Sequence, residues 1–148
     1  MNILADTCFW ISLCDSSEND HTETVSMMEK ILSNRSHTIF VPHPVLYETL
    51  RSEMVKNPSH VRLLMQYFAR VEKLPDADYI ENAYRAVEQQ ANMKNGTASM
   101  VDYAIMLMAN DSRNNVKAIL TRNGRDFALF CQNHRMLMID SLAMLDAI

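Results

Sequence analysis

Four carboxylates, Asp6, Glu48, Asp102 and Asp126, stand in or beside apolar segments of this sequence. Asp6 closes the short apolar run Asn2 to Ala5. In α/β sheets ligands bind at the carboxyl ends of strands, although an Asp there also suits the cap of a following helix. Glu48 lies in Val45-Leu46-Tyr47-Glu48-Thr49-Leu50, either as a ligand or as an exposed position on a half-buried helix. Asp102 lies in Met100-Val101-Asp102-Tyr103-Ala104-Ile105-Met106-Leu107-Met108-Ala109, a segment apolar nearly all round and therefore expected to be buried. A buried carboxylate without a partner is costly or takes up a proton. A cation would keep it ionised, and so would a salt bridge to Arg122 or Arg125. Asp126 falls in the first turn of a helix after Ile119-Leu120-Thr121-Arg122-Asn123-Gly124-Arg125, where it also complements the helix dipole.

These donors are all oxygen, with no histidine or cysteine signature among them. Hard donors select Mg²⁺ or Mn²⁺. Such ions activate water and stabilise the leaving oxygen in phosphodiester hydrolysis. Other chemistries lack their motifs: the chain has no G-x-x-x-x-G-K-[ST], no G-x-G-x-x-G and no H-E-x-x-H. His21, His37, His43, His60 and His134 read as surface or capping residues. The odd set Cys8, Cys14 and Cys131 contains no C-x-x-C, so it predicts small buried apolar residues in a reducing compartment.

The elements that must position the carboxylates follow from periodicity. Strands are expected at Asn2 to Ala5, Thr38 to Val41, Ala118 to Leu120 and Met136 to Ile139, with a minor one at Val71 to Leu74. Helices are expected from Thr7, over Thr22 to Leu32, His43 to Met54, after Pro58-Ser59, over Asp76 to Asn92, Thr97 to Asn110, Arg125 to Cys131 and Ser141 to Ala147. The stripe Val61, Leu64, Met65 and Phe68 should face the core of its helix, and Asn95-Gly96 should stop the helix before it. Short strands alternating with helices imply a parallel sheet covered on both faces. The 148 residues fit one domain, 1–148. With 2 Gly and 4 Pro, linkers and turn-rich all-β folds are disfavoured. The 12 methionines fall mostly at core stripe positions. A net charge of −4 supplies no global basic footprint for nucleic acid, yet leaves room for a local patch beside a carboxylate cluster. The opening Met-Asn-Ile-Leu-Ala-Asp has neither a basic nor a long apolar region, and no run of 18 or more apolar residues occurs. A cytoplasmic protein is expected, with no membrane span.

Ile3-Leu4-Ala5-Asp6-Thr7 resembles the opening motif of PIN domains, an apolar strand ending in Asp followed by Ser or Thr. Pro44 to Leu50 resembles the second motif, Ser99 to Ile105 the third, and Leu120 to Phe127 the fourth. Order and spacing fit across nearly the whole chain, and the four motifs in sequence are more specific than any one of them. The resemblance implies a PIN-like three-layer α/β/α fold with a short central parallel sheet of about four to five strands. It implies an acidic centre of Asp6, Glu48, Asp102 and Asp126, with Asp6, Asp102 and Asp126 on the metal and Thr7, Thr121 and Asn123 in support. Many members carry Asp where this chain has Asn123, so either Asp126 or Asn123 completes the site. It further implies a Mg²⁺- or Mn²⁺-dependent endoribonuclease of the VapC toxin type, with an RNA substrate, a cognate antitoxin protein and a homodimer. Arg51, Arg122 and Arg125 flank the motifs and are candidate phosphate contacts. Alternatives are a non-catalytic PIN-like binding module, suggested by Asn123, and a structure-specific DNA nuclease, for which the chain shows no arch or clamp segment.

Overall fold

Asn2–Ala5 forms β1 and Val116–Leu120 forms β4, and both are nearly continuous apolar runs because helices cover both faces of the sheet. Between them in sequence lie Thr38–Pro42 (β2) and Glu72–Leu74 (β3), and Leu137–Ile139 (β5) follows. The sheet order is β3-β2-β1-β4-β5 and every pairing is parallel. The expected α/β/α architecture is therefore present, with five strands. The order reverses at β1, so the crevice between the loops after β1 and β4 is the topological switch point where such sheets bind ligands. The computed structural model describes residues 1–91 and 98–147. The expected stop at Asn95-Gly96 lies outside these residues.

The helices are Thr7–Cys14 (α1), His21–Ser33 (α2), His43–Thr49 (α3), Pro58–Phe68 (α4), Ile80–Ala91 (α5), Met100–Asn110 (α6), Gly124–His134 (α7) and Leu142–Asp146 (α8). Ile3, Leu4, Ala5, Phe9, Trp10, Ile119 and Leu120 are wholly buried between them. Trp10 meets Phe9 and Phe68 edge-on, with ring centroids 5.9 and 5.0 Å apart, which ties α1 to α4.

Four boundaries differ from the sequence expectation by three residues or more, each for a local reason. The helix expected over His43 to Met54 ends at Thr49, and a 3-10 turn Glu53–Lys56 follows. Thr49 donates its hydroxyl to the Val45 carbonyl and Ser52 donates to the Thr49 carbonyl, side-chain bonds that compete with a continuing helix. The helix expected from Asp76 begins at Ile80, after a turn in which Tyr79 donates to the Asp76 carbonyl. The helix expected from Thr97 begins at Met100, where Ser99 caps it. Conversely, α7 runs past Cys131 to His134, because Arg135 adopts the left-handed conformation (φ 52°) and Met136 donates back to the Cys131 carbonyl. On α4, Leu64 and Phe68 are buried as expected, but Met65 is 43% exposed and lies off the core stripe.

Candidate functional site

A single cleft of about 750 Å³ is lined by Asp6, Glu48, Asp102 and Asp126, which come from four separate segments. β1 and β4 pair with Ala5 opposite Leu120, and the Asp6 amide continues that ladder to the Leu120 carbonyl at 2.9 Å. This sets Asp6 beside Thr121 at the carboxyl edge of the sheet. Asp6 is 6% exposed. One of its oxygens accepts from the Thr7 amide at 2.6 Å, so the residue does cap α1. The other accepts from the Thr121 hydroxyl at 3.0 Å and the Cys8 thiol at 2.9 Å. Capping and cleft lining are thus properties of the same carboxylate. Burial pushes the Asp6 carboxyl above its ordinary range; hydrogen bonds from Cys8, Thr121 and Thr7 pull the other way, and the Asp102 charge adds to the rise.

Glu48 is exposed and sits on α3, where one of its oxygens accepts from the Thr7 hydroxyl. That bond links the first and second motifs. Asp102 departs from the expectation of a fully buried charge that needs a counter-ion. It occupies the first turn of α6 and is half-buried. Its carboxylate accepts from the Ser99 amide at 2.6 Å, while the Ser99 hydroxyl accepts from the Asp102 amide at 3.1 Å, forming a reciprocal capping box. The Ser-x-x-Asp spacing carries this signal. Ser99→Ala should therefore cost about 1 kcal/mol of stability by urea denaturation. The donor that holds the Asp102 carboxylate is the Ser99 main-chain amide, which Ser99→Ala retains.

Asp126 accepts from the Asn123 side-chain amide at 2.5 Å, and Asn123 in turn donates its backbone N–H to the Thr121 hydroxyl at 3.0 Å. Asn123 and Asp126 thus act as one unit in the cleft wall. Arg51 lines the same cleft. Arg125 is 88% exposed, 3.7 Å from Asp126. Arg122 does not line the cleft. Its guanidinium is paired with Asp20 and Glu23 and bonds the Asp140 carbonyl at 2.7 Å, with the side chain only 13% exposed. That network withdraws Arg122 from the phosphate contacts expected of it, and it is not the partner of Asp102 either.

Two lining residues escaped the sequence reading. Asp76 follows β3 and adds a fifth carboxylate to the cleft, 3.9 Å from His43; its place at a strand end was the available signal. Cys8 is half-buried and polar in its contacts rather than a core filler, accepting from the Arg122 amide at 3.1 Å. Burial and the Asp6 charge push its thiol up to about 12, so it stays protonated and serves as a donor. Cys14 and Cys131 are buried, as expected.

The donor set suits a hard divalent cation. Among the described residues no three His, Cys, Asp or Glu side chains close into a ligand cluster. The carboxylates instead face a shared open space. Mg²⁺ is commonly held that way, through one or two carboxylates, several waters and substrate phosphates. Among the described residues, no cationic side chain pairs with Asp6, Glu48 or Asp102. No helix among them is long and apolar enough to cross a membrane.

No family model matches the sequence, and no curated protein matches it. Among solved structures the chain is similar to VapC20 of Mycobacterium tuberculosis, a toxin that cleaves the sarcin-ricin loop. Identity is 18%, the match covers 86% of this chain and 94% of that one, and the TM-score is 0.63. It is also similar to VapBC2 from Rickettsia felis, in a structure bound to a DNA fragment from its promoter. There identity is 16%, coverage 93% and 97%, and the TM-score 0.65. At these identities the likeness is one of fold, and the chain has the PIN-type α/β/α fold that it shares with these structures.

Proposed function

We propose that the cleft is the active centre of a metal-dependent endoribonuclease that hydrolyses RNA phosphodiester bonds, and that the protein is the toxin of a type II toxin–antitoxin pair. The observation that carries the nuclease reading is the meeting of four carboxylates from four segments at the switch point of a parallel sheet. Asp6, Asp102 and Asp126 would hold Mg²⁺ or Mn²⁺, which supplies charge neutralisation at the scissile phosphate and lowers the pKa of water. Glu48, the most exposed of the four, would take a proton from the attacking water. Thr7 orients Glu48, and Thr121 and Cys8 orient Asp6 through the bonds described above. Asn123 fixes Asp126. Arg51 is the remaining phosphate contact from the cleft lining, with the exposed Arg125 beside Asp126 as a second candidate.

The toxin role rests on the fold shared with VapC20 and VapBC2. It implies an antitoxin partner, a homodimer and a cytoplasmic site of action. Purified protein incubated with RNA should cleave in Mg²⁺ or Mn²⁺ and not in EDTA. Equal cleavage by wild type and Asp102→Asn would end the nuclease reading. Expression of the chain alone should arrest growth, and a co-encoded small protein should relieve the arrest.

A further inference from the structure

The carboxylates occupy only part of the cleft. A water takes up about 30 Å³ of liquid, so an ion with its waters leaves most of the 750 Å³ for something else. Tyr47 and Ile80 line the same cleft and are 57% and 39% exposed. Tyr47 immediately precedes Glu48 on α3, so one helix presents both an aromatic ring and a carboxylate of the acidic centre. His43, one turn earlier, lies against the ring with centroids 6.1 Å apart, which props it while leaving more than half of it open. Arg51, just beyond the end of α3, adds a cation to the cleft lining.

We propose that Tyr47, in the cleft that Ile80 also lines, stacks an unpaired nucleobase next to the scissile phosphate, with Arg51 on a neighbouring phosphate. This rests on the ribonuclease reading above. A phosphodiester held at the carboxylates carries its bases one sugar away, within the span of the cleft. Aromatic side chains stack bases of any sequence because every base has a π-face. A base inside a duplex has both faces covered by its neighbours, so a base on Tyr47 comes from a loop, bulge or free end. The ring, the apolar Ile80 in the same cleft and the Arg51 cation are complementary to a base and its backbone together, which selects this occupant over a purely apolar one.

The test uses the full chain with Asp102→Asn as a background that does not cut. Affinity for short oligo(rA) and oligo(rU) is measured in Mn²⁺ by fluorescence anisotropy. Tyr47→Ala should weaken both by roughly 5- to 150-fold, the range for loss of one base stack, whereas Tyr47→Phe should bind as the parent does. An abasic nucleotide scanned along the oligomer should weaken the parent at one position and Tyr47→Ala no further at that position. A blunt RNA duplex should bind more weakly than either oligomer. Equal affinities for the parent and Tyr47→Ala, or no abasic position that couples to Tyr47, would overturn the proposal. So would a Tyr47→Ala chain that keeps its RNA affinity but turns from dimer to monomer, since the ring would then belong to an interface between copies. Cleavage by the wild-type chain reports on the nuclease reading, and affinity with abasic coupling reports on the stack, so the two fail separately.

Discussion

Asp6→Asn is expected to lower RNA cleavage by about 10²–10³-fold, the usual loss when one preorganised electrostatic group at a reacting centre is removed, and to raise the stability of the protein. The two effects have one cause. Asp6 is almost wholly buried, and burial dominates the upward push on its carboxyl. Holding it ionised at neutral pH without a cation costs folding free energy. Asparagine has the same shape and no charge. Its amide oxygen can accept from the Thr7 amide, and its NH₂ can donate to the Thr121 hydroxyl, which accepts as well as donates. Thr7 and Thr121 therefore keep partners, only the weak Cys8 thiol donor loses its acceptor, and a gain of about 1 kcal/mol is reasonable for relieving the desolvated charge. At this chain length that is a rise of roughly 3 °C in Tm. Mn²⁺ should raise the Tm of wild type through mass action and leave that of Asp6→Asn nearly unchanged. Calorimetric titration with Mn²⁺ and thermal melts of the two proteins measure both halves. Undiminished cleavage by Asp6→Asn would remove Asp6 from the metal. A fall in Tm would show that the hydrogen bonds made by the charged carboxylate outweigh the cost of burying it.

Arg122→Ala should cost about 2–4 kcal/mol in urea unfolding, somewhat less than the roughly 3–5 kcal/mol for breaking a fully buried ion pair, because the Asp20 and Glu23 carboxylates are 29% and 39% exposed and partly screened by water. The guanidinium joins three parts of the chain. It pairs with both carboxylates of the α2 region and bonds the Asp140 carbonyl after β5. Glu23 also accepts from the Leu142 amide, and Asp20 from the Ser12 hydroxyl of α1. Burial works against the ionised form of Asp20, but the bonds from Ser12 and Arg122 outweigh it and hold the carboxyl below its ordinary range. Glu23 is held low by the Leu142 amide first and by Arg122 next. A depressed carboxylate contributes stability that is present above its unfolded pKa and lost as pH falls through its folded value. Wild-type stability should therefore fall on acidification below the ordinary carboxylate range. In Arg122→Ala that fall should be shallower, since part of it has already been lost at neutral pH. KM for RNA should change little at a temperature where the variant is folded. A large rise in KM with unchanged stability would instead restore Arg122 to phosphate binding.

The fold was largely legible in the sequence because its two periodicities were undisturbed. The β1 and β4 runs are apolar apart from Asn2 and Lys117, which is the mark of strands covered on both faces, and they bracket the helical stretches that any crossover between parallel strands requires. Asp6 was legible as a strand-end residue. Asp102 was legible as a residue needing explanation, but for the wrong reason: helical periodicity located the apolar stretch and not the point where Ser99 starts the helix, so a capping carboxylate was taken for a buried one. Arg122 shows the opposite limit. Nothing near it in sequence distinguishes an arginine that reaches a phosphate from one that reaches Asp20 and Glu23 about a hundred residues earlier. Asp76 and the cleft face of Cys8 escaped notice because their neighbours lie on other strands and helices.

By itself, then, the sequence determined the alternation of strands and helices, the carboxylate chemistry and its hard-donor character, since these depend on residue type and local spacing. The tertiary structure alone decided that Asp6, Glu48, Asp102 and Asp126 share one cleft, which hydroxyl, thiol or amide holds each of them, and that Arg122 clamps the fold while Arg51 and Tyr47 face the cleft. Those facts follow from parallel register and the reversal of strand order at β1, which bring residues more than a hundred positions apart to within hydrogen-bond reach of one another.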